Sequence, residues 1–256
     1  MNMGCLKASK KSGAVSFLGL NLHPVSADEV HEFIGKVIRD RQKAIVLHLN
    51  IYGVNLALEL KWMKDFFNES QLVFCDGDGV RWGTRLLGLP VPPKITYDRW
   101  IWQLADFCEK KHFRLFFLGG KPSVASLAVE RLREKYPGLE VVGVRHGYFE
   151  KEGSENEDII AEINRQKPDI LIVGLGMPIQ EKWLMDNWEK IDANIFLTGG
   201  AVFDYASGKA KRAPRWMIRL QLEWLFRLLQ EPRRLFLRYA IGIPYFLFRV
   251  ILEKLR

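Results

Sequence analysis

Cysteine is scarce. Cys5, Cys75 and Cys108 are the only three in 256 residues, and no two of them form a CxxC or other ligand-like spacing. An odd number of scattered thiols argues against a disulfide framework and fits a reducing compartment. The usual glycine signatures of nucleotide binders are missing too. There is no GxGxxG followed by an acidic residue and no GxxxxGK[ST], which disfavours a nicotinamide dehydrogenase or a P-loop NTPase. Long apolar runs are also lacking. The amino-terminal MNMGCLKASKKSGAVSF carries Lys7, Lys10 and Lys11 with no apolar stretch behind them, so residues 1–15 read as a flexible tail, neither signal peptide nor membrane span. Near the other end, YAIGIPYFLF is ten uncharged residues between Arg238 and Arg249, short of the roughly 20 that a bilayer requires.

Apolar and aromatic residues are plentiful, at 48% and 12%, so the chain folds around a core. Its length fits one α/β domain with an appendage or two small domains. Charge is unevenly divided. Residues 207–256 hold twelve Lys and Arg against three Asp and Glu, whereas residues 1–206 balance 26 against 27. The whole basic excess therefore sits in one segment, which is expected to meet something anionic.

Short β-branched and apolar runs recur at 44–50, 72–76, 114–120, 140–144, 169–176 and 194–200, with helical spacing between them, as in 122–136 and 156–166. Near-continuous apolar strands alternating with helices predict an α/β fold: a mostly parallel sheet covered by helices on both faces. Residues 16–26 add a small preceding β element. Ser26-Ala-Asp-Glu29 reads as a capping box opening a helix to about Arg41.

Open sheets of this kind bind ligands beyond the carboxyl ends of their strands, and five such ends are chemically loaded. They are His48-Leu-Asn50, Asp76-Gly-Asp78-Gly79, Gly119-Gly120-Lys121-Pro122-Ser123, the stretch Gly174 to Glu181 with Gln180, and Thr198-Gly199-Gly200. Gly119, Gly120 and Lys121 before a helix offer free backbone N–H groups and a cation to a diphosphate.

The stretches DGDGVRWGTRLLG, FFLGGKPSVA, YPGLEVVGVRHGYF, GLGMPIQEKW and GGAVFDYASGKAKRAPRWMIRLQLEWLFRLLQEPRR, in this order, resemble the WecG/TagA/CpsF family of bacterial glycosyltransferases from about residue 16 to the end. The resemblance implies a Rossmann-like catalytic domain over 16–206 and a helical, membrane-touching appendage over 207–256. It implies inverting transfer of N-acetylmannosamine, or a related sugar, from a UDP-sugar donor to a polyprenyl-diphosphate-linked N-acetylglucosamine in wall-polymer or surface-polysaccharide synthesis. It places the general base on Asp76 and the uridine diphosphate on Lys94, Thr96, Gly119 to Lys121, Gln180 and Asp204, with Glu181 beside them. Two positions depart from the family pattern: His48, where relatives tend to have Thr, and Asp78, where an apolar residue is common. His48 is the second candidate base, set against a hydrogen-bonded histidine lining the cleft.

Asp-x-Asp at a strand end is also how many nucleotide-sugar transferases hold a divalent ion. The resemblance implies a metal-independent reaction, so no cofactor or metal is expected at Asp76 and Asp78, and Asp78 is given a structural role such as capping the next helix. Without a metal, cations must neutralise the leaving diphosphate. Arg81 and Arg85 are candidates, as are Arg227, Arg234 and Arg238 from the basic segment. Pro214 is expected to start a helix to about Gln230, with Arg215, Arg219, Glu223 and Arg227 on one stripe and broad apolar faces beside it. Such a segment suits an anionic membrane surface, on the inner face of the cell membrane for a cytoplasmic enzyme, and also an oligomer contact. Two other classes fit part of the pattern: a nucleic-acid-binding protein with a basic tail, and an α/β enzyme using another nucleotide cofactor. Against the first, the segment is rich in leucine and aromatics and no nucleic-acid-binding signature occurs.

Overall fold

The computed structural model describes residues 13–256. Most of the expected amino-terminal tail, including Cys5, lies outside the described residues. All six apolar runs become strands: β3 (Ala44–Leu49), β4 (Leu72–Cys75), β5 (Leu115–Gly119), β6 (Val141–Arg145), β7 (Ile170–Gly174) and β8 (Ile195–Thr198). They form one sheet in the order β4-β3-β8-β7-β5-β6, and every neighbouring pair is parallel. Ahead of them, β1 (Val15–Phe17) and β2 (Leu20–Leu22) make a separate antiparallel hairpin.

Side-chain alternation along each strand feeds two cores. In β3, Ala44 and Val46 face one and Ile45, Leu47 and Leu49 the other. Helices α1 (Ala27–Arg39), α5 (Tyr97–Lys111), α6 (Val124–Lys135) and α9 (Val202–Ala206) cover the first face. The second is covered by α2 (Ile51–Glu59), α3 (Lys61–Glu69), α7 (Gly153–Gln166) and α8 (Ile179–Asn187), together with the hairpin; α4 (Asp78–Leu86) adds Val80. The predicted capping box is present: Ser26 Oγ accepts from the Glu29 N–H, and the Ser26 N–H donates to Glu29 Oε2 at 2.7 Å. Helix α1 ends at Arg39, two residues earlier than expected.

Over residues 214–230 the carboxy-terminal segment departs from the expected single helix, and further helices follow from Pro232. It forms α10 (Arg215–Arg219), α11 (Glu223–Gln230), α12 (Pro232–Ala240) and α13 (Gly242–Lys254). Gln221 adopts a left-handed backbone (φ 59°), and its side chain accepts from Trp82 Nε1 at 2.8 Å, so the chain turns between α10 and α11. The expected stripe is broken there: Arg219 and Glu223 line one cleft, whereas Arg227 lies over the Tyr205 ring.

Nor is this segment only an appendage. Phe246 and Val250 of α13 are fully buried in the second core, where Phe246 meets Phe17, and Asn55 Nδ2 donates to the Gly242 carbonyl at 2.8 Å. The ten-residue count also understated its helical reach. Pro232–Lys254 is 23 residues with a mean hydropathy of 1.6 over its most apolar window, long and apolar enough to cross a membrane by length and composition.

Candidate active site

All the loaded strand ends lie along the carboxyl edge of the sheet, and the strand order sets how far apart they are. β4 and β5 are separated by four strand spacings, about 19 Å at the usual 4.7–4.9 Å each. The residues expected to hold uridine diphosphate therefore fall into two groups. Lys94 and Thr96 follow β4, whereas Gly119 to Lys121, Gln180 and Asp204 follow β5, β7 and β8.

At the β4 end the backbone N–H of Asp76 donates to the Leu49 carbonyl at 2.9 Å, so the residue continues the β3–β4 ladder by one step. Asn50 caps α2 by accepting from the Gly53 N–H at 3.0 Å, and its amide points Nδ2 at Asp76 Oδ2 across 3.4 Å. Gly77 (φ 90°) turns the chain into α4, a backbone that side chains of the L series rarely adopt. Asp76 is half-buried and makes no ion pair among the described residues.

Asp78 is differently placed. Gly77 occupies the cap position of α4, so Asp78 is not the cap but the first helical residue, where a carboxylate suits the helix dipole. Arg81 Nη1 lies 3.0 Å from its Oδ1 and Lys94 Nζ 2.6 Å from its Oδ2. The Lys94 ammonium also pairs with Glu223 of α11. Burial works against that charge, but the two carboxylates outweigh it and hold Lys94 above the ordinary lysine value. Both Asp78 oxygens thus face cations, and the Asp-Gly-Asp turn presents one carboxylate to a ligand rather than a pair. Among the described residues no group of three His, Cys, Asp or Glu side chains is arranged to hold a metal ion. Arg81 is further tied to the Pro92 carbonyl, while Arg85 is exposed beside Leu86 to Leu89, in a different hollow.

His48 is buried behind this edge. Its Nδ1 lies 2.9 Å from the Thr198 carbonyl, an acceptor, so Nδ1 carries the proton and Nε2 the lone pair. Tyr97 O–H donates to the same carbonyl and its ring stands edge-on to the imidazole. Burial holds His48 below the ordinary imidazole range, with the charge of Asp76 and the bond to Thr198 acting in the opposite direction. The histidine is hydrogen-bonded, as one of its two readings from sequence had it, but it is buried rather than lining a cleft.

The glycine end is organised by Gln180. Its Oε1 accepts from the Gly200 N–H at 2.9 Å and from the Gly176 N–H at 3.2 Å, tying together the loops after β8 and β7. Its Nε2 donates to Glu181 Oε1 at 2.8 Å. Both side chains are fully buried, and burial pushes the Glu181 carboxyl up to about 7. Gly119 (φ 147°) lets β5 approach β7 so closely that an added Cβ would stand 2.3 Å from the Gly174 carbonyl oxygen. Connections leave β5 toward β6 and β7 toward β8, so the crevice between them is the switch point at which open sheets bind ligands. Asp204 lies in α9, which follows the β8 end of this edge. Burial and Glu231 raise its carboxyl, and the charges of Arg234, Lys121 and Lys209 counteract this.

The basic segment folds over the same edge. Arg227 lies over the Tyr205 ring at 5.6 Å and within the electrostatic reach of Asp76. Arg238 stacks on Tyr52 at 4.1 Å, and its field reaches His48. Arg234 is bound to Glu231 at 2.8 Å and sits toward Asp204. Tyr52, Tyr97 and Tyr205 carried no distinguishing signal in the sequence; only the fold brings them to this edge.

An open parallel sheet with acid, amide and glycine groups along its carboxyl edge defines a Rossmann-like α/β protein, a class whose ligand sites lie at that edge. The chain belongs to the Glycosyl transferase WecG/TagA/CpsF family, which it matches over residues 15–256. Among curated proteins it is similar to the N-acetylglucosaminyldiphosphoundecaprenol N-acetyl-beta-D-mannosaminyltransferase of Bacillus subtilis (strain 168), with 31% identity over 74% of this chain and 72% of the relative. Proteins of the same name from Bacillus spizizenii are 31% identical over 72% and 69% of the two chains, and from Staphylococcus aureus (strain MW2) 26% identical over 78% and 77%.

Proposed function

We propose that the protein transfers N-acetylmannosamine, or a closely related sugar, from a UDP-sugar to an N-acetylglucosaminyl diphosphate polyprenol with inversion, Asp76 acting as general base. The observation that carries this reading is the placement of Asp76: a carboxylate with no ion pair among the described residues, steadied by Asn50 and within the electrostatic reach of Arg227. A sugar hydroxyl is a poor nucleophile until its proton is taken in the transition state, and a positioned carboxylate does that. The hydroxyl oxygen then bonds to the anomeric carbon as the bond to the UDP oxygen breaks on the opposite face. The names of the relatives support the sugar and the lipid-linked acceptor.

The leaving diphosphate gains charge as it departs, and cations in a half-buried site stabilise that charge far better than in water. Arg227 and Arg234 are suited to this by their positions near Asp76 and Asp204. Lys121 and the glycine loops held by Gln180 offer further donors.

The acceptor's lipid implies work at a membrane. In α12 and α13, Leu235, Phe246 and Val250 pack inward while Phe236, Leu237, Ile241, Phe248 and Ile251 are exposed. Apolar surface on one side, bordered by Arg233, Arg249 and Lys254, favours lying on an anionic leaflet over crossing it. The test is incubation with a panel of UDP-sugars and a short-chain diphosphate-linked N-acetylglucosamine. A product heavier by one N-acetylhexosamine supports the reading, and no transfer from any UDP-sugar contradicts it.

A further inference from the structure

Beside Asp76, but on the side away from the glycine loops, lies a cleft of about 400 Å³ between α4, the start of α5 and the α10–α11 turn. Four cations line it, Arg81, Lys94, Arg99 and Arg219, against two carboxylates, Asp78 and Glu223. The two acids are already engaged with Arg81 and Lys94. Arg99 and Arg219 have no ion pair among the described residues, so the cleft carries two surplus positive charges. A diphosphate esterified at both ends carries two negative charges. Its volume falls within the roughly 300–1,000 Å³ of ordinary small-ligand sites.

The surroundings of the cleft narrow the choice of ligand. Trp82, Trp216 and Leu220 are exposed and lie within two positions in sequence of its lining residues Arg81, Ile218 and Arg219. Trp82 is bonded to Gln221, itself part of the wall. An anion held here has the exposed Trp82 ring near it through Gln221, apolar surface that suits a ligand with a lipid chain. On the inner side, Asp78 is two residues from Asp76, a chain distance of about 7 Å at most, or one sugar's breadth. The glycine loops are the width of several strands away.

We propose that this cleft holds the diphosphate of the lipid-linked acceptor, so that its sugar reaches Asp76 and its prenyl chain leaves past Trp82, Trp216 and Leu220. The assignment rests on the transferase reading above and divides the edge of the sheet: donor diphosphate at the β5, β7 and β8 loops, acceptor diphosphate beyond β4. It moves Lys94 and Thr96, expected from sequence at the uridine diphosphate, to the acceptor side.

The test uses the full chain and calorimetry without turnover, with two probes: a short-chain prenyl-diphosphate-linked N-acetylglucosamine, and UDP. Arg99 and Arg219 are exposed, so the double variant Arg99→Ala, Arg219→Ala keeps the fold. Losing two charge-assisted contacts is expected to weaken the lipid-linked probe about tenfold or more, with UDP changed less than about twofold. Arg99→Lys with Arg219→Lys is expected to recover part of the loss. The proposal is overturned if the lipid-linked probe binds the double variant as it binds the parent, or if UDP weakens to the same extent. Because both readouts are of binding, a parent protein that transfers no sugar would count against the transferase reading alone.

Discussion

Gln180 Oε1 accepts the Gly200 N–H at 2.9 Å, and through this one bond, with its companion to Gly176, α8 sets the position of the loops after β7 and β8. The donors come from residues 20 and 4 positions away in sequence, so a single amide couples two strand ends. Gln180→Ala leaves two part-buried N–H groups and the buried Glu181 Oε1 without this partner. Each such group costs about 1–3 kcal/mol, so denaturant unfolding is expected to show a loss of a few kcal/mol. UDP binding should weaken as well. An unchanged midpoint would mean that the loops hold their shape without the amide.

Glu181 makes stability depend on pH in a predictable direction. Burial raises its carboxyl from the ordinary 4.5 to about 7. The folded state therefore holds the proton more tightly than the unfolded chain. Its contribution is fully present below about pH 4.5 and is lost as pH rises through 7, by roughly 3 kcal/mol at 1.36 kcal/mol per pK unit. Glu181→Gln keeps the acceptor for Gln180 Nε2 and carries no charge. Unfolding of parent and variant at pH 5 and pH 8.5 should show the variant gaining on the parent at the higher pH; parallel behaviour would contradict this.

Lys94 joins the basic segment to the catalytic body, bonded to Asp78 on one side and Glu223 on the other. These side chains are 11–25% exposed, so solvent screens the pair only in part. Glu223→Gln should therefore free α11 locally, at about 1–2 kcal/mol, a value between exposed and buried pairs. Hydrogen exchange is expected to quicken in residues 223–230 and not in the central strands.

Membrane docking should depend on the exposed side of α13. Phe248→Asp with Ile251→Asp removes two apolar groups and adds two negative charges opposite an anionic leaflet. Flotation with vesicles containing phosphatidylglycerol is expected to lose most bound protein, while the melting temperature changes little because both side chains face solvent. Retention of binding would shift the docking surface to α10 and α11.

Five of the six sheet strands were legible because their apolar runs are buried on both faces, the edge strand β6 is only part-buried, and the capping box was legible because its two residues are close in sequence. Strand order was not legible. Nothing local in Asp76 or Gly119 says that four spacings separate their strands, and so the uridine diphosphate residues read as one group when the fold makes two. The break at Gln221 was hidden for the same reason: its partner, Trp82, is 139 residues away. Asp78 was expected to cap the next helix, whereas Gly77 holds that place and the cations paired with Asp78 come from positions 81 and 94, which a search for a helix cap does not consult. Asp76, Asn50 and the glycine loops stood out because their chemistry is concentrated in short motifs at strand ends.

The most direct measurement concerns Asp76 itself. Asp76→Asn keeps the size of the side chain and its contact with Asn50 but cannot take a proton. Turnover with saturating UDP-sugar and acceptor is expected to fall about 10²- to 10⁴-fold, the usual contribution of general-base assistance, while the Kd for UDP stays unchanged. Near-normal kcat in this variant would contradict the account and pass the role of base to another group.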